Sequence, residues 1–135
     1  MKRMKNWCMC VLTVLLLCAV PADAAARNPL KGVWRIDTYN GVNYKILDKD
    51  GNYYSLTSED GGETFQVICK GDYRILMPGV YVENMKYEKG SMRDVSFSIA
   101  YTRKGDELHL VYDVMGDTYR EVWKKVRKRD MPVKQ

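Results

Sequence analysis

The chain has 135 residues, 46% of them apolar and 29% charged, with four cysteines and a formal charge of +5. That is the length of one domain, and the composition excludes a disordered or collagenous chain and a two-domain enzyme. The charge is unevenly placed: residues 124–135 carry +5 and residues 27–123 carry −2, so the folded part offers no general electrostatic case for nucleic acid.

Residues 1–26 read as a secretory signal peptide. Lys2, Arg3 and Lys5 form a basic start, residues 7–20 are apolar apart from Thr13, and Ala22-Asp23-Ala24 or Ala24-Ala25-Ala26 offers the small residues of a cleavage site. The apolar stretch is short of the ~20 residues that a membrane-spanning helix needs, so no transmembrane anchor is expected after cleavage. Cys18 follows Leu15-Leu16-Leu17 where a lipid-acceptor cysteine would follow a small residue, which argues against lipoprotein anchoring. The expected location is periplasmic or extracellular. Cys8, Cys10 and Cys18 would leave with the leader, and Cys69 alone cannot form an intrachain disulfide.

In chain order, apolar residues then alternate at period 2, the pattern of half-buried strands, over residues 32–39, 42–47, 53–57, 64–70, 73–77, 80–87, 93–103, 107–115 and 118–126. Each of the links between them holds a glycine, which supplies the positive φ of a tight turn, and all are too short to join parallel strands. The fold expected over residues 27–126 is therefore an all-β antiparallel meander of eight or nine strands closed into a small barrel, because closure removes the open edges. Residues 127–135 are expected to be a basic flexible tail. Parity assigns Trp34 and Ile36 to one face of the first strand, Tyr44 and Ile46 to one face of the second, and Tyr54 and Leu56 to one face of the third. Phe65, Val67 and Cys69 then share a face, as do Tyr73 and Ile75, Tyr101 and Phe97, and Tyr112 and Leu110.

Gly32-Val33-Trp34 resembles the G-x-W signature of lipocalins and related calycins. Together with Asn28-Pro29-Leu30-Lys31, the hairpin from Tyr44-Lys45-Ile46-Leu47 to Asp48-Lys49-Asp50-Gly51, Gly71-Asp72-Tyr73 and the closing Glu121-Val122-Trp123-Lys124-Lys125-Val126, it is similar to a lipocalin-like domain of unknown function in exported proteins of Gram-negative gut bacteria. The resemblance implies a small β-barrel in which Gly32 and Trp34 form the base and a cation from the last strand, Arg120 or Lys124, covers the indole. It implies no particular chemistry. The link at residues 39–42 leaves no room for the helical lid of fatty-acid-binding relatives, and Tyr119-Arg120 is a faint echo of their carboxylate clamp.

Catalytic and metal chemistry are not legible. His109 is the one histidine, expected on the solvent face beside Glu107 and Asp113, and Cys69 is expected to be a buried, inert thiol. Glu83, between Tyr81 and Met85, and Glu121, between Tyr119 and Trp123, share faces with aromatic rings and are expected to be hydrogen-bonded or exposed strand residues. The segment Asp48-Lys49-Asp50-Gly51-Asn52 is a turn, since it lacks the bidentate acid of a calcium loop. No metal or cofactor, and no enzymatic activity, is expected. The expected function is to bind a small hydrophobic or amphipathic molecule, with Tyr44, Tyr54, Phe65, Tyr73, Tyr101 and Tyr112 as candidate lining residues. The alternative is a protein-interaction module whose interior is filled by its own side chains.

Overall fold

A computed structural model describes residues 28–131. The signal peptide expected over residues 1–26 and the last four residues of the expected tail lie outside the described residues. Eight strands run β1 (Gly32–Thr38), β2 (Gly41–Leu47), β3 (Asn52–Ser58), β4 (Gln66–Met77), β5 (Val80–Glu88), β6 (Ser91–Lys104), β7 (Glu107–Val114) and β8 (Asp117–Lys125). All neighbours are antiparallel, in sequence order, and β8 returns to β1 to close a barrel. Two hairpins turn on dipeptides in which both residues have positive φ, Lys89-Gly90 and Met115-Gly116, the conformation whose twist matches the flanking strands.

Nine expected segments became eight strands because Gly71-Asp72 is not a turn. Residues on both sides of it belong to the continuous β4, and the register against β5 slips between Lys70 and Gly71. A Cβ at Gly71 would lie 1.9 Å from the Asn84 carbonyl oxygen, so the glycine serves close backbone approach at a bulge that bends the sheet round the barrel.

Closure is incomplete toward one end. β8 meets β1 at two register positions, Trp34↔Lys125 and Arg35↔Lys124, extended by the bond from Val126 N to Val33 O at 2.8 Å. β6 meets β7 only from Ala100↔Val111 to Lys104↔Glu107. Residues 112–122 therefore form a ribbon whose ladder runs only within the β7–β8 hairpin. Gaps flank it on both sides, opposite residues 36–38 of β1 and residues 91–99 of β6.

The barrel interior holds the main core of Leu30, Trp34, Leu47, Tyr53, Tyr73, Tyr81, Met85, Ile99, Leu108, Leu110 and Trp123. A second cluster lies on the outer face of β1–β3. There Val33, Tyr44 and Leu56 are buried under Phe65, Val126 and Met131. The loop carrying Phe65 is tied down by Asp60, which accepts hydrogen bonds from Ser58 Oγ, Glu63 N, Thr64 N and Thr64 Oγ1. Part of the expected tail is structured: Lys128–Asp130 form a 3-10 turn, which brings Met131 onto this cluster.

Candidate functional site

The two ends of the barrel interior differ. At the base, Trp34 is fully buried, and its Nε1 donates to the Leu30 carbonyl at 2.8 Å. The segment before β1 folds underneath as a plug: Arg103 Nη1 donates to the Pro29 carbonyl at 2.8 Å, and Asn28 Nδ2 to the Tyr73 hydroxyl at 2.7 Å. Tyr73 in turn donates to the Asp48 carbonyl at 2.6 Å. Gly32 has φ +147, and a Cβ there would sit 3.2 Å from Lys125 Cε, so the base is built around a missing side chain. Arg103 and Lys125 stand 5.0 and 5.6 Å from the Trp34 ring centroid. Each such contact contributes roughly 0.5–2 kcal/mol.

The expectation that Arg120 covers Trp34 is therefore corrected. Arg120 is exposed and lies opposite Val111; on β8 the inward parity is that of Glu121, Trp123 and Lys125, and Lys124 also points outward, opposite Arg35.

Toward the open end, the interior becomes polar. Lys45 and Glu83 are both buried and form an ion pair of 2.6 Å, while the Tyr81 hydroxyl donates to the same Glu83 Oε1 at 2.8 Å. Lys45 Nζ also lies 5.4 Å from the Trp123 ring centroid. A second carboxylate, Glu121, accepts from Tyr112 Oη and Trp123 Nε1, each at 2.6 Å. Burial and then the Glu83 carboxylate push the Tyr53 and Tyr81 hydroxyls well above the ordinary phenol range. Burial and Glu121 do the same to Tyr112.

Above this polar layer lies a cavity of about 270 Å³, bounded by Lys45, Tyr53, Ser55, Cys69 and Glu83 on one side and by Met85, Phe97, Ile99, Tyr112 and Val114 on the other. Phe97 and Ile99 of β6 face Tyr112 and Val114 of β7 where the two strands have no ladder. A larger groove of about 630 Å³ crosses the mouth between the β1–β2 and β5–β6 hairpins. Its walls mix Thr38, Asn40, Asn43, Thr57 and Gln66 with Val67, Ile68 and Tyr87; the inner cavity, where the buried Lys45 and Glu83 converge with apolar side chains, is the candidate site.

Of the six aromatic residues expected to line a ligand site, Tyr112 does so. Tyr101 points inward but is spent on the core, with its ring 5.8 Å from that of Tyr81. Tyr73 belongs to the base. Tyr44 and Phe65 pack edge-to-face at 5.4 Å in the outer cluster, and Tyr54 points outward at 36% exposure. These three are corrections with one cause. In β2 and β3 the inward positions are Lys45, Leu47, Tyr53 and Ser55, because Lys45 registers with Trp34. The outer face is also apolar, under the Phe65 loop, so hydrophobic parity points to the wrong side.

Cys69 faces inward at the cavity wall, half-buried, and burial together with Glu88 and Glu83 pushes its thiol up. Glu83 and Glu121 do share faces with aromatic rings, and both are hydrogen-bonded. His109 sits on the outward parity of β7, 2.9 Å from Glu107. Among the described residues, no three histidine, cysteine or acidic side chains are grouped for a metal.

An eight-stranded antiparallel barrel with a tryptophan-plugged base and a hollow opposite half defines a small lipocalin-like barrel. The chain matches the family described as "Domain of unknown function (DUF4488)" over residues 29–133, and it belongs to that family. No curated protein matches it.

Proposed function

We propose that this chain is an exported, non-enzymatic binding protein that holds a small amphipathic molecule in the upper half of its barrel. The observation that carries this is the 270 Å³ cavity, in which apolar side chains and several inward polar groups converge. Ligand sites commonly occupy about 300–1,000 Å³, so this one suits a compact molecule and not a long acyl chain. The gaps beside the β7–β8 ribbon offer a route of entry that breaks no ladder hydrogen bond. The leader pattern in residues 1–26 supports a ligand met outside the cytoplasm.

Native mass spectrometry of the protein released gently from its source compartment tests the proposal. A discrete mass increment from a small molecule is expected, and it should vanish in a Ser55→Trp variant that fills the cavity. Bare protein from the source that also takes up no small amphiphile in vitro would overturn it and favour an interaction module.

A further inference from the structure

The charge of the cavity wall limits the polar end of its ligand. Among the described residues, Lys45 is the one cation in that wall, and it is paired with Glu83. Glu88, at the rim, is paired with Arg93 at 3.4 Å. Among the described residues, the charged groups lining the cavity are Lys45, Glu83 and Glu88, one negative charge in excess before the pairing of Glu88 with Arg93. A carboxylate ligand would find no free cation and would lie beside two acids in a poorly solvated space, where like charges repel strongly.

The hydrogen-bonding inventory has the same sense. Both protein donors to Glu83, Lys45 and Tyr81, reach Oε1. Among the described residues, Glu83 Oε2 accepts no hydrogen bond, although the side chain is only 9% exposed and lines the cavity. The Tyr53 hydroxyl and Ser55 Oγ, also in the wall, have no protein partner there either. Among the described residues, no buried side-chain polar atom is sealed off without a partner, so these oxygens open onto the hollow. The free Glu83 carboxylate oxygen, which can only accept, favours a cationic donor, and the two hydroxyls can accept from it as well, beside an apolar wall of Met85, Phe97 and Val114 that suits a short apolar chain. Burial first, and the nearby carboxylates after it, raise the Tyr53, Tyr112 and Cys69 protons above their ordinary ranges.

We propose that the cavity selects a small primary amine in its protonated form, its ammonium directed to Glu83 Oε2, Tyr53 and Ser55 and its hydrocarbon part lying against Met85, Phe97 and Val114. This rests on the binding role proposed above and adds the chemical class of the ligand.

The test compares hexylamine, hexan-1-ol and hexanoate by isothermal titration at neutral pH, using the full chain and one buffer. One charge-assisted hydrogen bond gives roughly 1.5–3 kcal/mol, or about ten- to a hundredfold in affinity. Hexylamine should therefore bind at least about tenfold more tightly than hexan-1-ol, with hexanoate weakest. In Glu83→Gln the ammonium loses its acceptor and Lys45 is released, so the order should invert toward hexanoate. Should that variant not fold, Lys45→Met combined with Glu83→Gln removes both charges and should bring hexylamine down to the affinity of hexan-1-ol. Hexanoate binding as tightly as hexylamine, or a hexylamine preference unchanged by the variants, would overturn the selectivity and leave the cavity as a binding site. If none of the three binds, the amine proposal falls, and the native mass increment decides the binding role separately.

Discussion

The lower and upper halves of one barrel are built from the same strands and serve different ends. In the base, Leu30, Trp34, Leu108 and Trp123 fill the section, and the polar atoms of Trp34 and Tyr73 are met by the chain's own plug. In the upper half, Ser55 and Cys69 occupy inward positions where large side chains would close the space, and three oxygens are left facing it. The difference shows how a domain this small divides its interior. One end is packed and fully satisfied and so carries stability, while the other stays hollow and unsatisfied and so can carry recognition.

The sharpest way to break the comparison is at the base. Trp34→Ala should cost about 3–5 kcal/mol or prevent folding, read by urea denaturation. In the upper half, Glu83→Gln alone should cost about 3–5 kcal/mol, because it strands Lys45 as a buried charge, whereas the Lys45→Met, Glu83→Gln pair should cost far less. Equal costs for the single and double variants would mean that the ion pair is not the organising feature of this layer. Back at the base, Arg103→Met should cost about 1–2 kcal/mol by removing the cation over Trp34 and the bond to Pro29; the same change at exposed Arg120 should stay within about 0.5 kcal/mol.

Filling the hollow should act on binding more than on stability. Ser55→Val is expected to shift stability by less than about 1 kcal/mol while weakening hexylamine at least tenfold, by titration. The smallest effect lies outside the barrel. The Thr64 side chain and backbone, then Ser58, hold the Asp60 carboxyl down at about 2, below its ordinary 3.8. A depressed carboxyl stabilises the folded loop above its ordinary range, and that contribution is lost as pH falls through about 2. The ring resonances of Phe65 and Tyr44 should accordingly stay native at pH 3 and move only near pH 2 in an NMR titration.

The fold was largely legible in the sequence because each hairpin has its own turn chemistry and because the seventh and eighth expected strands, residues 93–103 and 107–115, alternate cleanly. The base was legible through Gly32 and Trp34. Its cation was not, since Arg103 reaches Trp34 from β6, a strand distant in sequence, and no local pattern marks it. The site was the least legible part. Tyr44, Tyr54 and Phe65 look like lining residues only if a single face of β2 and β3 is buried, and here the loop of residues 59–65 covers the other face as well. Lys45 is the overlooked signal: a lone cation flanked by Tyr44 and Ile46 reads as solvent-facing until the register with Trp34 turns it inward toward Glu83.

The most direct test of the division between the two halves is a hexylamine titration followed by the amide and methyl NMR shifts of the assigned protein. The account predicts saturable shifts at Tyr53, Ser55, Cys69, Met85, Phe97, Tyr112 and Val114, with Leu30, Trp34 and Leu108 of the base and Tyr44 and Leu56 of the outer cluster unmoved. Shifts centred on the base or the outer cluster, or none at saturating hexylamine, would contradict it.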